Sequence, residues 1–213
     1  MSAPRARQHL KPPPSPDELR GRFPEVTLAT HTTIYRNHAA GLGAWWFSSN
    51  GAGRFDLAGS EGTCYTAESE LVTVLETWSG IDVIPRPDTA KRDISAVTVD
   101  RDLRLADTTS NQAIQFGVTA EMFTTSDYPL TQQWSKALCK AGFDGIRYWA
   151  RHDLAHVDAC IAVFAPSGDH TSTAKKPSDF GVLGTENLLD RPDLWKALEH
   201  EAGIVVLDIP GSL

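Results

Sequence analysis

Residues 34–76 read IYRNHAAGLGAWWFSSNGAGRFDLAGSEGTCYTAESELVTVLE. The start of this stretch, residues 32–36 (TTIYR), is β-branched and aromatic, which predicts a strand. Residues 44–49 (AWWFSS) predict a second. Asn50-Gly51-Ala52-Gly53 predicts a turn, because glycine reaches backbone angles closed to other residues. Residues 63–66 (TCYT) predict a third, short strand. A helix follows at once, with Ser69 as its cap and Glu70 as a first-turn acid. Leu71, Val72, Val74, Leu75 and Trp78 give it an apolar stripe of helical period that stops at Gly80. Glu76, next to Leu75, falls at the rim of the buried face. Strands and a helix without a βαβ rhythm point to an α+β fold rather than a doubly wound sheet.

Outward from this stretch the signals are plainer. Residues 94–99, 103–106, 146–149 and 160–164 predict strands, and residues 130–141 (LTQQWSKALCKA) a helix that stops at Gly142. Residues 112–127 show no clear period. The Ser-, Gly-, Lys- and Thr-rich residues 167–184 are expected to form a mobile loop. Asp190 is expected to cap a last helix with Pro192 in its first turn, and residues 203–209 (GIVVLDI) to form a final strand. Residues 1–25, rich in proline, read as a flexible or loosely docked arm, and residues 26–213 as a single catalytic domain.

Composition excludes several functions. No run approaches the 18 or more apolar residues that cross a bilayer, and the basic N-terminus lacks the apolar core of a secretory signal. Cys64, Cys139 and Cys160 are odd in number, widely spaced and without a CxxC pair. They are expected to be free thiols in a reducing cytoplasm. A net charge of −7 argues against direct nucleic-acid binding, while leaving room for a small anionic ligand held by a few focused arginines. His31 and His38 bracket the first strand, and His152 and His156 stand four apart. Neither Asp153 nor Asp158 completes a ligand set, so no metal is expected. Trp45 and Trp46 read as core or pocket wall, since no basic residues interleave with them. There is no GxGxxG after a strand and no P-loop.

Arg36, Arg54, Tyr65 and Glu76 each have an ordinary reading: arginines at a strand end and a turn, a core tyrosine, a solvated helix face. Together they are the parts needed to cleave a nicotinamide–ribose bond. The leaving pyridine is neutral and needs no strong acid, while the ribosyl carbon left behind becomes an oxocarbenium ion. A carboxylate beside the ribose stabilises that charge. Guanidinium groups grip the pyrophosphate bidentately, and an aromatic ring orients the sugar or base.

The order Tyr35-Arg36, Gly53-Arg54-Phe55, Gly62-Thr63-Cys64-Tyr65, then Val74-Leu75-Glu76 eleven residues after the tyrosine, resembles the RES domain family. Asp127-Tyr128, Thr131-Gln132-Gln133-Trp134, residues 141–148 (AGFDGIRY) and Ala162-Val163-Phe164 extend the resemblance. It implies an ADP-ribosyltransferase-like split, mixed or antiparallel sheet with flanking helices and NAD+ in its cleft. It implies a toxin that consumes NAD+ as glycohydrolase or phosphorylase and is paired with an Xre-type antitoxin. Arg36, Tyr65 and Glu76 are the expected catalytic residues. Arg36, Arg54, Ser48, Tyr65 and Trp46 are the expected NAD+ contacts. The family's serine matches Ala150, which leaves Ser48 or Ser135 to supply a hydroxyl, or makes the hydroxyl dispensable. Two other readings stand beside this one: ADP-ribosyl transfer to a macromolecule, and a module that binds NAD+ or a partner without turnover. A homodimer is compatible with all three.

Overall fold

The computed structural model describes residues 9–78 and 80–210. Its strands are β1 (Glu25–Leu28), β2 (Ile34–Ala39), β3 (Trp46–Phe47), β4 (Glu61–Ala67), β5 (Val83–Pro85), β6 (Arg92–Val99), β7 (Leu103–Asp107), β8 (Gly145–Trp149), β9 (Ala159–Pro166), β10 (Gly168–Asp169), β11 (Phe180–Asn187) and β12 (Val205–Leu207). Its helices are α1 (Pro16–Leu19), α2 (Glu70–Thr77), α3 (Arg86–Thr89), α4 (Glu121–Thr124), α5 (Tyr128–Lys140) and α6 (Pro192–Ala202).

Eight strands form one sheet in the order β1-β7-β8-β9-β4-β2-β6-β11. The β7–β8 pair is parallel and the other neighbours are antiparallel. The sheet is split. β4 pairs with β9 from Glu61 to Ala67, and β2 with β6 from Ile34 to Ala39, but β2 and β4 share the single pair Tyr35↔Ala67. Beyond that pair the two halves part, and a cavity opens between them.

Strand alternation sends side chains to opposite faces. On one face Tyr65, Tyr148, Cys160 and Phe55 pack toward α5, around the buried Trp134 and Leu138. On the other Cys64, Ile34, Trp45, Phe47 and Phe180 form a second cluster. Val74 and Leu75 of α2 join Ile84, Leu194 and Leu198 in a third. α2 begins where the sequence places it, with the Ser69 hydroxyl accepting from the Val72 N–H.

Two expectations are corrected, and two open readings are resolved. Of the two readings of the N-terminal arm, docking describes it from His9 onward: Leu10, Leu19 and Phe23 are buried in the first cluster, and the Trp134 indole donates to the Lys11 carbonyl. Residues 1–8 lie outside the described residues. Residues 167–184 are not one loop: β10 pairs with β3, and β11 pairs along β6 with a bulge between Val182 and Gly184. An edge strand needs only one partner and keeps polar residues in solvent, so its composition mimics a loop. Asp190 does not cap α6. It ends a 3₁₀ turn whose cap is Asn187, and Arg191 precedes α6. Residues 112–127 form a 3₁₀ turn (Asn111–Phe116) and α4, both too short for a periodic pattern.

Candidate active site

The cavity at the split measures about 250 Å³. Arg54, Tyr65 and Glu76 all line it, carried there by three different elements.

Arg54 sits in the turn between β3 and β4. That turn is tied down from both sides: the Gln132 side-chain amide donates to the Gly51 and Gly53 carbonyls at 3.0 and 2.8 Å, and the Thr131 hydroxyl to the Arg54 carbonyl at 2.6 Å. The Arg54 side chain is itself buried, donates to the Phe123 carbonyl, and lies 5.5 Å from the centroid of the Tyr128 ring. Among the described residues no carboxylate pairs with it. A buried cation without a counter-ion is costly, and an anionic ligand removes that cost.

The Tyr65 hydroxyl accepts from the Phe55 N–H at 2.9 Å and donates to Asp56 Oδ1 at 2.8 Å, while Asp56 Oδ2 accepts from the Gly53 N–H. Burial, then the charge and hydrogen bond of Asp56, push this phenol well up against the opposing pull of the Phe55 N–H and Arg54. Burial likewise raises Tyr148 and Cys160, and the nearby Glu76 adds to both shifts. Phenols and thiol therefore stay protonated, and the carboxylates at the site are Glu76 on the cavity and Asp56 behind Tyr65.

Glu76 stands near the C-terminal end of α2. Its Oε1 accepts from the backbone N–H of Arg151 at 2.8 Å and of His152 at 3.4 Å, in the loop that follows β8. Oε2 has no hydrogen bond among the described residues. Ala150 is buried at the start of this loop, and its methyl group belongs to the first core cluster. Ser135 does not replace the missing hydroxyl; it is buried and donates within α5 to the Thr131 carbonyl.

Arg36, Ser48 and Trp46 do not line the cavity. Arg36 points to the face opposite Tyr65, where its guanidinium donates to the Ala44 carbonyl and to Cys64 Sγ. Ser48 bridges Thr63 through the backbone, and Trp46 is 47% exposed beside β10. Conversely, Asn37, Tyr148, Cys160, Arg151 and His152 line the cavity without having been singled out as its walls. Tyr148 and Cys160 reach the cavity only through the pairing of β8 and β9 with β4, which no local pattern announces, and nothing local marks a loop residue as a cavity wall. Among the described residues no group of three His, Cys, Asp or Glu side chains could hold a metal ion, and no helix is long and apolar enough to cross a membrane.

A split mixed sheet with flanking helices and a cavity at its parting defines an α+β fold of one recognisable kind. The RES domain model matches residues 31–182, and the chain belongs to the RES domain family. In fold it is similar to a chain of the MbcT–MbcA toxin–antitoxin complex from M. tuberculosis, with a TM-score of 0.56 and 17% identity over 82% of this chain and 92% of that one. No curated protein matches it.

Proposed function

We propose that this protein consumes NAD+ by cleaving the bond between nicotinamide and ribose. The observation that carries the reading is the buried Arg54, without a carboxylate partner among the described residues, on the same cavity as Glu76. Arg54 binds the pyrophosphate, whose charge it lacks in the free protein. Tyr65, fixed by Asp56 and the Phe55 N–H, orients the nicotinamide riboside. Glu76, steadied through Oε1, uses Oε2 to hold a ribose hydroxyl and to stabilise the cation that forms as neutral nicotinamide departs. The acceptor is external: water gives ADP-ribose, and phosphate gives its phosphorylated form. The catalytic assignment of Arg36 is not needed for any of these steps.

In this reading a partner antitoxin covers the cavity; that the neighbouring chain comes from a toxin–antitoxin complex supports a partner of that kind. The test is NAD+ loss and product identity, with and without phosphate, on the native protein and Glu76→Gln. Glu76→Gln is expected to keep its circular dichroism and to lose about 10²–10³-fold in kcat. Native turnover in that variant defeats the reading, and label left on a macromolecule redirects it to transfer.

A further inference from the structure

Both amide atoms of Asn37 are buried without a hydrogen-bond partner among the described residues. Asn37 lies on β2 just past the Tyr35↔Ala67 pair, where β4 no longer runs alongside, and it lines the cavity with Thr73, Glu76 and Thr77 of α2. The two threonines cannot satisfy it by donation, since their hydroxyls donate to the Glu70 and Thr73 carbonyls of their own helix. A buried amide with neither donor nor acceptor matched weakens the fold. A strand position that merely packed against α2 would be better served by an apolar side chain. The cavity beside it is where a ligand can supply the missing partners.

We infer that Asn37 reads the carboxamide of the nicotinamide ring, an inference that rests on the NAD+ reading above. An amide side chain offers two N–H donors and a carbonyl acceptor. A second amide, met head to tail, matches it with two N–H···O bonds. The last torsion of asparagine is broad, so the group turns toward the cavity at little cost. The cavity is divided to suit such a substrate. Arg54 enters from the α4–α5 side, beside Phe123 and Tyr128, while Asn37 enters from the β2–α2 side. A cation therefore serves the phosphates on one side and a neutral amide serves the base on the other. The acid analogue of the ring presents carboxylate oxygens only, one of them against Asn37 Oδ1 with no proton between them. Sites built around a substrate N–H reject analogues that lack it far more strongly than apolar pockets reject a change of size.

The test compares NAD+ with nicotinic acid adenine dinucleotide on the native protein, Asn37→Leu and Asn37→Ala, alongside thermal unfolding and nicotinamide binding. The native protein is expected to favour NAD+ by about 100-fold or more in kcat/KM. Asn37→Leu is expected to lose at least about tenfold of that preference, with an unfolding midpoint that does not fall, because an orphaned amide has gone. Asn37→Ala gives the same readout if leucine overfills the space. A merely structural residue would instead lower the midpoint and slow both dinucleotides alike. An unchanged preference in both variants overturns the inference, as does a native enzyme that consumes both dinucleotides equally, and in either case the NAD+ reading survives. A native protein that neither consumes NAD+ nor binds nicotinamide fails at the earlier step and takes the inference with it.

Discussion

At Arg36 a guanidinium meets the Ala44 carbonyl and lies 2.9 Å from Cys64 Sγ. Burial pushes that thiol up to about 11, with Arg36 pulling the other way, so the contact joins a cation to a neutral thiol and not to a thiolate. The side chain fastens the segment before β3 to β4. Arg36→Gln should therefore lower stability by about 1–3 kcal/mol, the cost of a lost charge-assisted hydrogen bond in a half-buried place. Urea unfolding checks this, and an unchanged midpoint would free Arg36 from the structural role. The identity of Arg36 was legible as a charge on an apolar strand. Its direction was not, because one step along a strand reverses the face.

The glycine turn between β3 and β4 shows how an element is built for a site. Gly53 is required for space: a Cβ there would land on the Tyr65 hydroxyl and Asp56 Oδ1. Gly51 is required for conformation, with φ of +75° and open space around it. The two glycines therefore predict different failures. Gly53→Ala should displace the Tyr65 hydroxyl from Asp56 and lower NAD+ turnover at least about tenfold, beyond any loss of stability. Gly51→Ala should cost about 1–2 kcal/mol of backbone strain and leave kcat intact. Equal behaviour of the two in a paired assay of turnover and melting would contradict this division. The turn itself was plain in the sequence, but its clamp by Gln132 and Thr131 of α5 was not, since nearly eighty residues separate the partners.

Across the whole molecule, one buried and one half-buried ionisable group contribute separable steps to the response to pH. His38 is buried within 2.8 Å of Ser95 Oγ, in a chain that continues to Thr185 on β11. Burial above all, with Arg36 adding to it, depresses its pKa below 6.5, against the Ala39 carbonyl and Asp93. The unfolded chain thus binds a proton first, and stability is lost as pH falls from 6.5 toward the lower folded value. Glu68 is the second step. Burial alone would raise it, but hydrogen bonds from Arg147 and the Ala159 N–H, with the Arg147 charge, hold it below its ordinary 4.5. Its contribution is present above 4.5 and lost as pH falls through the folded value. Urea midpoints from pH 8 to 3 should show both declines, and His38→Gln should flatten the upper one. An upper decline unchanged in that variant would assign it to another group.

The sequence by itself determined the α+β class, the helix capped at Ser69, the glycine turn, and the spacing that put Arg54, Tyr65 and Glu76 into one reading. These are local or short-range properties: periodicity, capping and turn chemistry are written within a few residues. Only the tertiary structure decided that β2 and β4 meet at one pair, that Arg36 turns away from the cavity, and that Asn37, Arg151 and Cys160 form its walls. Those outcomes depend on register between strands distant in the chain and on which face each side chain takes. No window of sequence contains the partner strand that fixes either.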